Sequence, residues 1–207
     1  FASADWQQMK AIQALSLTSG EPSIFAASRL VIITPMGGLH ENIISTNELR
    51  IDTINAFGTD ADKQVLHYLA TPGIKLVLAL EQVPVGDYSR EVIRNIGADP
   101  QFDASYAQKV LANVVSEETN VRDVVQKVAM GEADAGIVYL TNAMASAVKE
   151  RTDYFTIPEH FNVTATYPIS VLATSSEPGL AWDFINFLRS EQGLGILARN
   201  GFLNPIE

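Results

Sequence analysis

Residues 74–88 read IKLVLALEQVPVGDY, and this stretch decides the fold. Ile74 to Leu80 is an apolar run of strand length, broken by one lysine, which is typical of a strand buried on both faces. The sequence Pro84-Val85-Gly86 breaks the run and precedes a helix that carries apolar residues on one face as far as Ile96. The stretch therefore predicts a buried strand, a short loop and an amphipathic helix.

The same order of strand, loop and helix recurs along the chain. Val114-Val115 predicts a short strand before a helix capped by Asn120, and Ala135 to Leu140 predicts a buried strand before a helix that runs from Thr141 through Val148. This alternation predicts an α/β fold with a mainly parallel sheet. Five further segments are predicted: a helix through residues 6–15, a strand at 25–34, a strand at 163–173 and two closing helices at 180–188 and 192–199.

Four aromatic side chains lie at helix or strand spacing, and this spacing assigns them to the core. They are Trp6, Phe25, Phe184 and Phe187.

Composition narrows the classes of function. The 207 residues are 47% hydrophobic and 18% charged, which is enough for one large core or two small ones. The net charge is −10 with no basic patch, so a nucleic-acid partner is not expected, and an anion would have to be bound by local dipoles. The absence of cysteine excludes disulfides, thiol catalysis and Cys-ligated metals.

Three predicted junctions between a strand and a helix are the places where chemistry is expected. They lie at residues 84–88, 119–122 and 138–142. Ligands of open α/β sheets bind beyond the carboxyl ends of the strands, where each helix N-terminus offers unpaired N–H groups and about half a positive charge. Two such ends would bind a dianion without lysine or arginine. The alternative is that these are ordinary capped turns, which every α/β domain contains.

Metal binding and catalysis have little support in the sequence. His40, His67 and His160 are far apart and share no ligand spacing. Glu132 and Asp134 are predicted to be solvated loop residues. The chain contains no Gly-x-Ser-x-Gly elbow, no Walker A loop and no Gly-x-Gly-x-x-Gly motif, so an enzyme is not expected.

Seven segments together resemble the molybdate-binding protein family of ABC importers. They occur in the order of that family and extend over essentially the whole chain. The segments are residues 1–5 (FASAD), 76–79 (LVLA), 83–88 (VPVGDY), 120–122 (NVR), 127–139 (KVAMGEADAGIVY), 167–169 (YPI) and 198–202 (ARNGF).

The resemblance implies the two-lobed periplasmic-binding-protein fold of type II, with the anion in the cleft between the lobes. Residues 1–34 and 165–207 would form one lobe, and residues 35–164 the other. Two hydroxyl-bearing loops that the family carries before its Phe-Ala-Ser-Ala-Asp segment have no counterpart in this sequence. We therefore expect the first lobe to be incomplete at its N-terminus. The stretch at about 39–60 is longer than the corresponding family loops and has no assigned function.

The resemblance also implies the binding residues. Val85 and Val121 would donate backbone N–H groups to a tetrahedral oxyanion, molybdate or tungstate, and Tyr139 would donate its hydroxyl. The anion would be the ligand, with no cofactor and no direct ligands to a metal cation. The partners would be the permease subunits of an ABC transporter, and the protein would be monomeric, periplasmic or otherwise extracytoplasmic, and lipid-anchored if a segment upstream supplies the anchor.

Other functions remain open at this point. The same fold would serve another solute such as sulfate, a phosphonate or a ferric complex. A hydrolase working from the same cleft would need a paired nucleophile and base, and a transcriptional effector domain would need a DNA-binding segment. Neither feature is visible in the sequence.

Overall fold

The computed structural model describes residues 1–38, 60–145 and 147–205. The long stretch at 39–60 lies outside the described residues except for Asp60. Along the described chain the elements are α1 (Trp6–Ala14), β1 (Thr18–Pro35), α2 (Asp60–Leu69), β2 (Leu76–Ala79), α3 (Pro84–Ala98), α4 (Tyr106–Ala112), β3 (Val114–Glu118), α5 (Val121–Ala129), β4 (Ala135–Tyr139), α6 (Leu140–Ala143), β5 (Thr152–Thr156), β6 (Thr164–Leu172), α7 (Pro178–Leu188) and α8 (Glu191–Arg199). This is the predicted α/β class.

The chain divides into two compact units. Unit 1 consists of Phe1–Arg29 and Thr164–Glu207, and unit 2 consists of Leu30–Val163. The strand β1 belongs to both, because its first part lies in unit 1 and its last residues lie in unit 2.

Unit 2 is built on a sheet with the strand order β3-β2-β4-β1-β5. Strand β2 is parallel to both of its neighbours, with Leu78 opposite Glu117 of β3 and Leu76 opposite Ala135 of β4. Strand β1 is antiparallel to β4, β5 and β6. The prediction of a mainly parallel sheet is therefore wrong. An apolar run shows that a strand is buried on both faces, but it carries no information about the direction of that strand.

The core of unit 2 lies in the middle of this sheet. All four residues of β2 and the run from Leu30 to Ile33 are fully buried. Helix α5 packs closely on β4, because a Cβ at Gly136 would lie 3.0 Å from the Cγ1 atom of Val124. Burial of apolar side chains at about 25 cal/mol per Å² is the main stabilising contribution here, and it fixes the strands whose ends carry the predicted site.

Strand β1 is longer than predicted. The sequence Gly20-Glu21-Pro22, which precedes the predicted strand at 25–34, lies within the strand. It coincides with a shift of register relative to β6 between Ser19 and Ser23. Such a bulge accommodates a proline, which has no N–H to donate to the ladder.

Helix α6 is shorter than predicted and ends at Ala143 instead of continuing to Val148. Turns follow, in which the N–H of Val148 donates to the carbonyl of Ala145 at 3.0 Å and the Thr152 hydroxyl donates to the carbonyl of Val148 at 3.2 Å. These bonds turn the chain into β5, so tertiary structure overrides the helical preference of an alanine-rich segment.

Unit 1 contains the first part of β1 paired with β6, and the helices α1, α7 and α8. Ile185 of α7 packs against Ile169 and Val171 of β6, and Phe25 packs against this cluster as expected. The prediction that Phe184 and Phe187 lie in the core is wrong, because they are 56% and 40% exposed. Residues 181, 182, 185 and 188 share the face of α7 that meets β6, and this spacing leaves 184 and 187 on another face.

Among the described residues, no helix combines the length and the apolar character that a membrane span requires.

Candidate functional site

The three predicted junctions lie at one edge of the sheet in unit 2. Strands β3, β2 and β4 are neighbours and run in the same direction, so their carboxyl ends meet at the same edge. Val121 follows β3, Val85 follows β2, and Tyr139 is the last residue of β4. The structure therefore brings the three predicted site residues to a common edge.

Val85 is the second residue of α3. The first bonded N–H groups of this helix belong to Gly86 and Asp87, which both donate to the carbonyl of Val83 at 2.8 and 3.1 Å. The N–H of Val85 precedes them, and no carbonyl within the helix accepts it. Val83 provides no side-chain cap. Val85 is buried as a whole residue, at 1% exposure, and donation of its N–H to a ligand stays a prediction.

Gly86 allows the helix to begin directly against the end of β2. A Cβ at this position would overlap the carbonyl oxygens of Leu80 and Ala79, the second at a distance of 2.5 Å. Any residue other than glycine would push the first turn of α3 away from the strand. The glycine of the Pro-Val-Gly motif is therefore needed for close approach of backbone to backbone.

The start of α5 is capped as predicted. Asn120 accepts the N–H of Asp123 through its side-chain oxygen at 3.0 Å. Val121, the first residue of the helix, is half-buried, and its N–H is also one of the four that no carbonyl within the helix accepts. The cap sets the direction of the helix axis and leaves this earlier N–H to another acceptor.

Tyr139 lies at the end of β4, opposite Leu30 of β1, and immediately before the short helix α6. Its side chain is 7% exposed. Donation of its hydroxyl to a ligand stays a prediction. Its position at the carboxyl end of the strand is the one that the resemblance requires.

Two residues near this edge were missed by the sequence analysis. The Arg90 guanidinium donates through Nη1 to the carbonyl of Ala79 at 3.0 Å and to the carbonyl of Gly86 at 2.8 Å. Its Nη2 atom forms an ion pair with Glu117 of β3. The spacing contained a signal, because Arg90 lies four residues after Gly86 and therefore on the same face of the helix.

A second ion pair joins β3 to α5. The Lys127 ammonium lies 2.6 Å from Glu118 and 2.7 Å from the hydroxyl of Ser116. Hydrogen bonds from Lys127 and Ser116 hold the pKa of the Glu118 carboxyl below its usual value. Arg90 and Lys127 are thus each paired with a carboxylate, whereas Arg122, which follows Val121, is exposed.

Metal ligation finds no support in the described ranges, which contain no group of three or more histidine, aspartate or glutamate side chains able to hold an ion. His67 stacks on Phe102 with ring centroids 4.7 Å apart, and His160 lies against Phe161 at 3.9 Å. His40 lies outside the described residues.

Asp134, expected to be a solvated loop residue, is instead half-buried. It accepts the N–H of Lys75 at 2.8 Å and so joins the beginnings of β2 and β4. Glu132 is exposed, as expected.

Known proteins resemble the chain over nearly all of its length. The family described as bacterial extracellular solute-binding proteins matches residues 1–203. The molybdate-binding protein ModA of Mycobacterium tuberculosis is 33% identical over 205 residues, which are 99% of this chain and 65% of that protein. This chain thus spans 65% of the length of the curated relatives that it matches first.

Two solved structures share the fold. The periplasmic molybdate-binding protein of Azotobacter vinelandii has a TM-score of 0.69 at 19% identity, over 99% of this chain and 78% of that one. The sulfate-binding protein SubI of M. tuberculosis has a TM-score of 0.72 at 16% identity, over 99% and 68% of the two chains. The fold is that of the periplasmic binding proteins, and the family is one of binding proteins, not enzymes. From its fold and from the match over residues 1–203, the chain belongs to the bacterial extracellular solute-binding proteins.

Proposed function

We propose that this protein captures a tetrahedral oxyanion, molybdate or tungstate, outside the cytoplasm and delivers it to the permease of an ABC transporter. The observation that carries the proposal is the meeting of Val85, Val121 and Tyr139 at one edge of the sheet. The 33% identity to a molybdate-binding protein supports the choice of ligand.

The proposed capture uses neutral donors. Val85 and Val121 would donate N–H groups at the positive ends of two helices, and Tyr139 would donate its O–H. A hydrogen bond to a charged group contributes about 1.5–3 kcal/mol, so three such bonds make a substantial part of a micromolar affinity. A fully protonated oxyacid would present its own donors to these donors and would be rejected.

The proposal extends to the two lobes, the oligomeric state and the location of the protein. Units 1 and 2 would be the two lobes of the binding protein, close to the predicted ranges 1–34 with 165–207 and 35–164. The protein would act as a monomer, without a cofactor, in the periplasm or attached to the outer face of the membrane by a lipid. No reaction is catalysed.

A titration with a panel of oxyanions tests the function. Isothermal titration calorimetry with molybdate, tungstate, sulfate and phosphate should show binding of the first two in preference to the others. Tyr139→Phe should weaken molybdate binding by about tenfold, since it removes one donor to a charged ligand.

Tyr154→Phe is the matched control. Tyr154 lies half-buried on β5 of the same unit, away from the edge formed by β3, β2 and β4. Its hydroxyl should be dispensable. Unchanged molybdate affinity in Tyr139→Phe would remove Tyr139 from the site.

Sulfate is the alternative ligand, and a phosphonate is a further one. The sulfate-binding protein SubI has the same fold, and neutral donors at helix N-termini suit any tetrahedral dianion. Tighter binding of sulfate than of molybdate in the titration would favour this alternative.

A further inference from the structure

The first turn of α3 begins without a side-chain cap. Its N-cap residue, Val83, makes no side-chain hydrogen bond, whereas the N-cap residues of α1 and α5, Asp5 and Asn120, each accept a backbone N–H. A helix end without a cap loses about 1 kcal/mol and frays more readily. A group outside the cap position can therefore stabilise the turn that carries the Val85 N–H.

Arg90 is placed to do this. Its side chain extends back along the helix, and one guanidinium bonds to the carbonyl of Ala79 at the end of β2 and to the carbonyl of Gly86 in the first turn. The side chain is only 12% exposed. The guanidinium thus joins the strand end to the helix start at the point where Gly86 lets them approach most closely.

Glu117 holds the other side of the guanidinium. It lies on β3, opposite Leu78 of β2, and pairs with Nη2 of Arg90. The planar fork of an arginine suits three acceptors in fixed directions, which a lysine ammonium does not match. The carboxylate also offsets the positive charge, so the guanidinium is not left as a free partner for the anion.

We propose that Arg90, fixed by Glu117, is a positioning residue that holds the first turn of α3 so that the Val85 N–H meets the oxyanion. This inference rests on the proposed function. It assigns Arg90 no contact with the ligand. The turn depends on the shape of the guanidinium and not on its charge.

The test compares Arg90→Gln and Arg90→Lys with Arg94→Gln in the 207-residue chain. Arg94 is exposed on the same helix, one turn further on, and its replacement removes the same charge. Molybdate affinity is measured by calorimetry, and the exchange of backbone amides is measured by NMR. Thermal melting shows that each variant is folded.

Both Arg90 variants should raise the Kd for molybdate by about tenfold, which corresponds to about 1.4 kcal/mol, while Arg94→Gln should leave it unchanged. Amide exchange should become faster at Gly86 and Asp87 but not at Ile93 and Ile96 in the middle of the helix. A purely structural role would lower the melting temperature without this local change.

Two results would overturn the proposal. If Arg90→Lys binds molybdate as the wild type does, charge is sufficient and the guanidinium fork has no role. If amide exchange at Gly86 and Asp87 is unchanged in Arg90→Gln, the first turn does not depend on Arg90. Failure of the wild type to bind any oxyanion would instead refute the proposed function, and amide exchange alone would then decide whether Arg90 orders the turn.

Discussion

The side-chain amide of Asn162 forms two hydrogen bonds with the backbone of Leu30, accepting its N–H at 3.1 Å and donating to its carbonyl at 2.9 Å. A side chain thus takes the place of a partner strand at this point of β1. The same amide donates to the carbonyl of Ile157 at 3.2 Å, and its oxygen accepts the N–H of Val163 at 2.8 Å. One side chain therefore satisfies four backbone groups at the boundary where unit 2 begins and ends.

Replacement of Asn162 by alanine should destabilise the protein by about 2–3 kcal/mol, because Leu30 is fully buried and its polar groups lose their partner. The control is Asn200→Ala, which removes an exposed amide that donates to Ile196 at 2.9 Å and should cost about 0.5 kcal/mol. The free energy of unfolding is measured by urea denaturation. Equal losses in the two variants would contradict the assigned role.

Alanine at Gly86 should disturb both stability and the proposed site. The new Cβ would collide with the backbone carbonyls of Ala79 and Leu80, which end a buried strand and cannot move aside easily. We expect a loss of about 2–4 kcal/mol, as for other backbone strain and overpacking.

Gly179→Ala serves as the control for this collision. Gly179 lies in the first turn of α7, and a Cβ there would have no neighbour within 4 Å. The substitution should be neutral or stabilise the protein by up to about 1 kcal/mol, since alanine prefers the helix more strongly. If Gly86→Ala proves as stable as Gly179→Ala in thermal melting, close approach does not explain the glycine.

The order of the elements could be predicted from the sequence because it depends on local patterns. The apolar runs at 76–79 and 135–139 and the cap at Asn120 are signals within a few residues, and the structure has these elements in those places. The direction of β1 and its length could not be predicted, since the bulge beside Pro22 depends on pairing with β6, far along the chain.

In the candidate site, too, the features set by local sequence could be predicted and those set by distant segments could not. Motif residues such as Val85 and Gly86 were visible because they stand at a strand-to-helix turn. The ion pair between Arg90 and Glu117 joins residues 27 positions apart. This ion pair depends on the packing of α3 beside β3, and no short-range sequence pattern predicts it.

The pair between Glu118 and Lys127 predicts a dependence of stability on pH. The folded pKa of Glu118 is lowered, first by hydrogen bonds from Lys127 and Ser116. Its contribution is therefore present above the unfolded pKa of about 4.3 and is lost as the pH falls through the folded value. Since Lys127 is about one-third exposed, the pair should contribute at most about 1 kcal/mol.

Lys127→Met measures this contribution. The difference in unfolding free energy between wild type and variant should be present at neutral pH and should shrink as the solution is acidified below the unfolded pKa of Glu118. The exposed pair of Lys109 and Asp103, 3.4 Å apart, gives a matched control in Lys109→Met, for which a smaller difference at neutral pH is expected. A Lys127→Met difference that persists unchanged at low pH would exclude the ion pair as its source.

The reliance on neutral donors predicts an unusual effect of salt on the rate of oxyanion binding. The chain carries a net charge of −10, so its long-range interaction with a dianion is repulsive. Raising the ionic strength from about 0.01 M to about 0.15 M shortens the Debye length from about 30 Å to about 8 Å and should therefore speed association. A site built on free lysine or arginine would show the opposite trend, with slower association at higher salt.

Stopped-flow measurement of molybdate association across this range of ionic strength distinguishes the two kinds of site. Arg122→Gln is the comparison, because Arg122 is the exposed cation beside Val121. If association slows with salt in the wild type and this slowing disappears in Arg122→Gln, the Arg122 charge captures the anion and the backbone donors do not act alone.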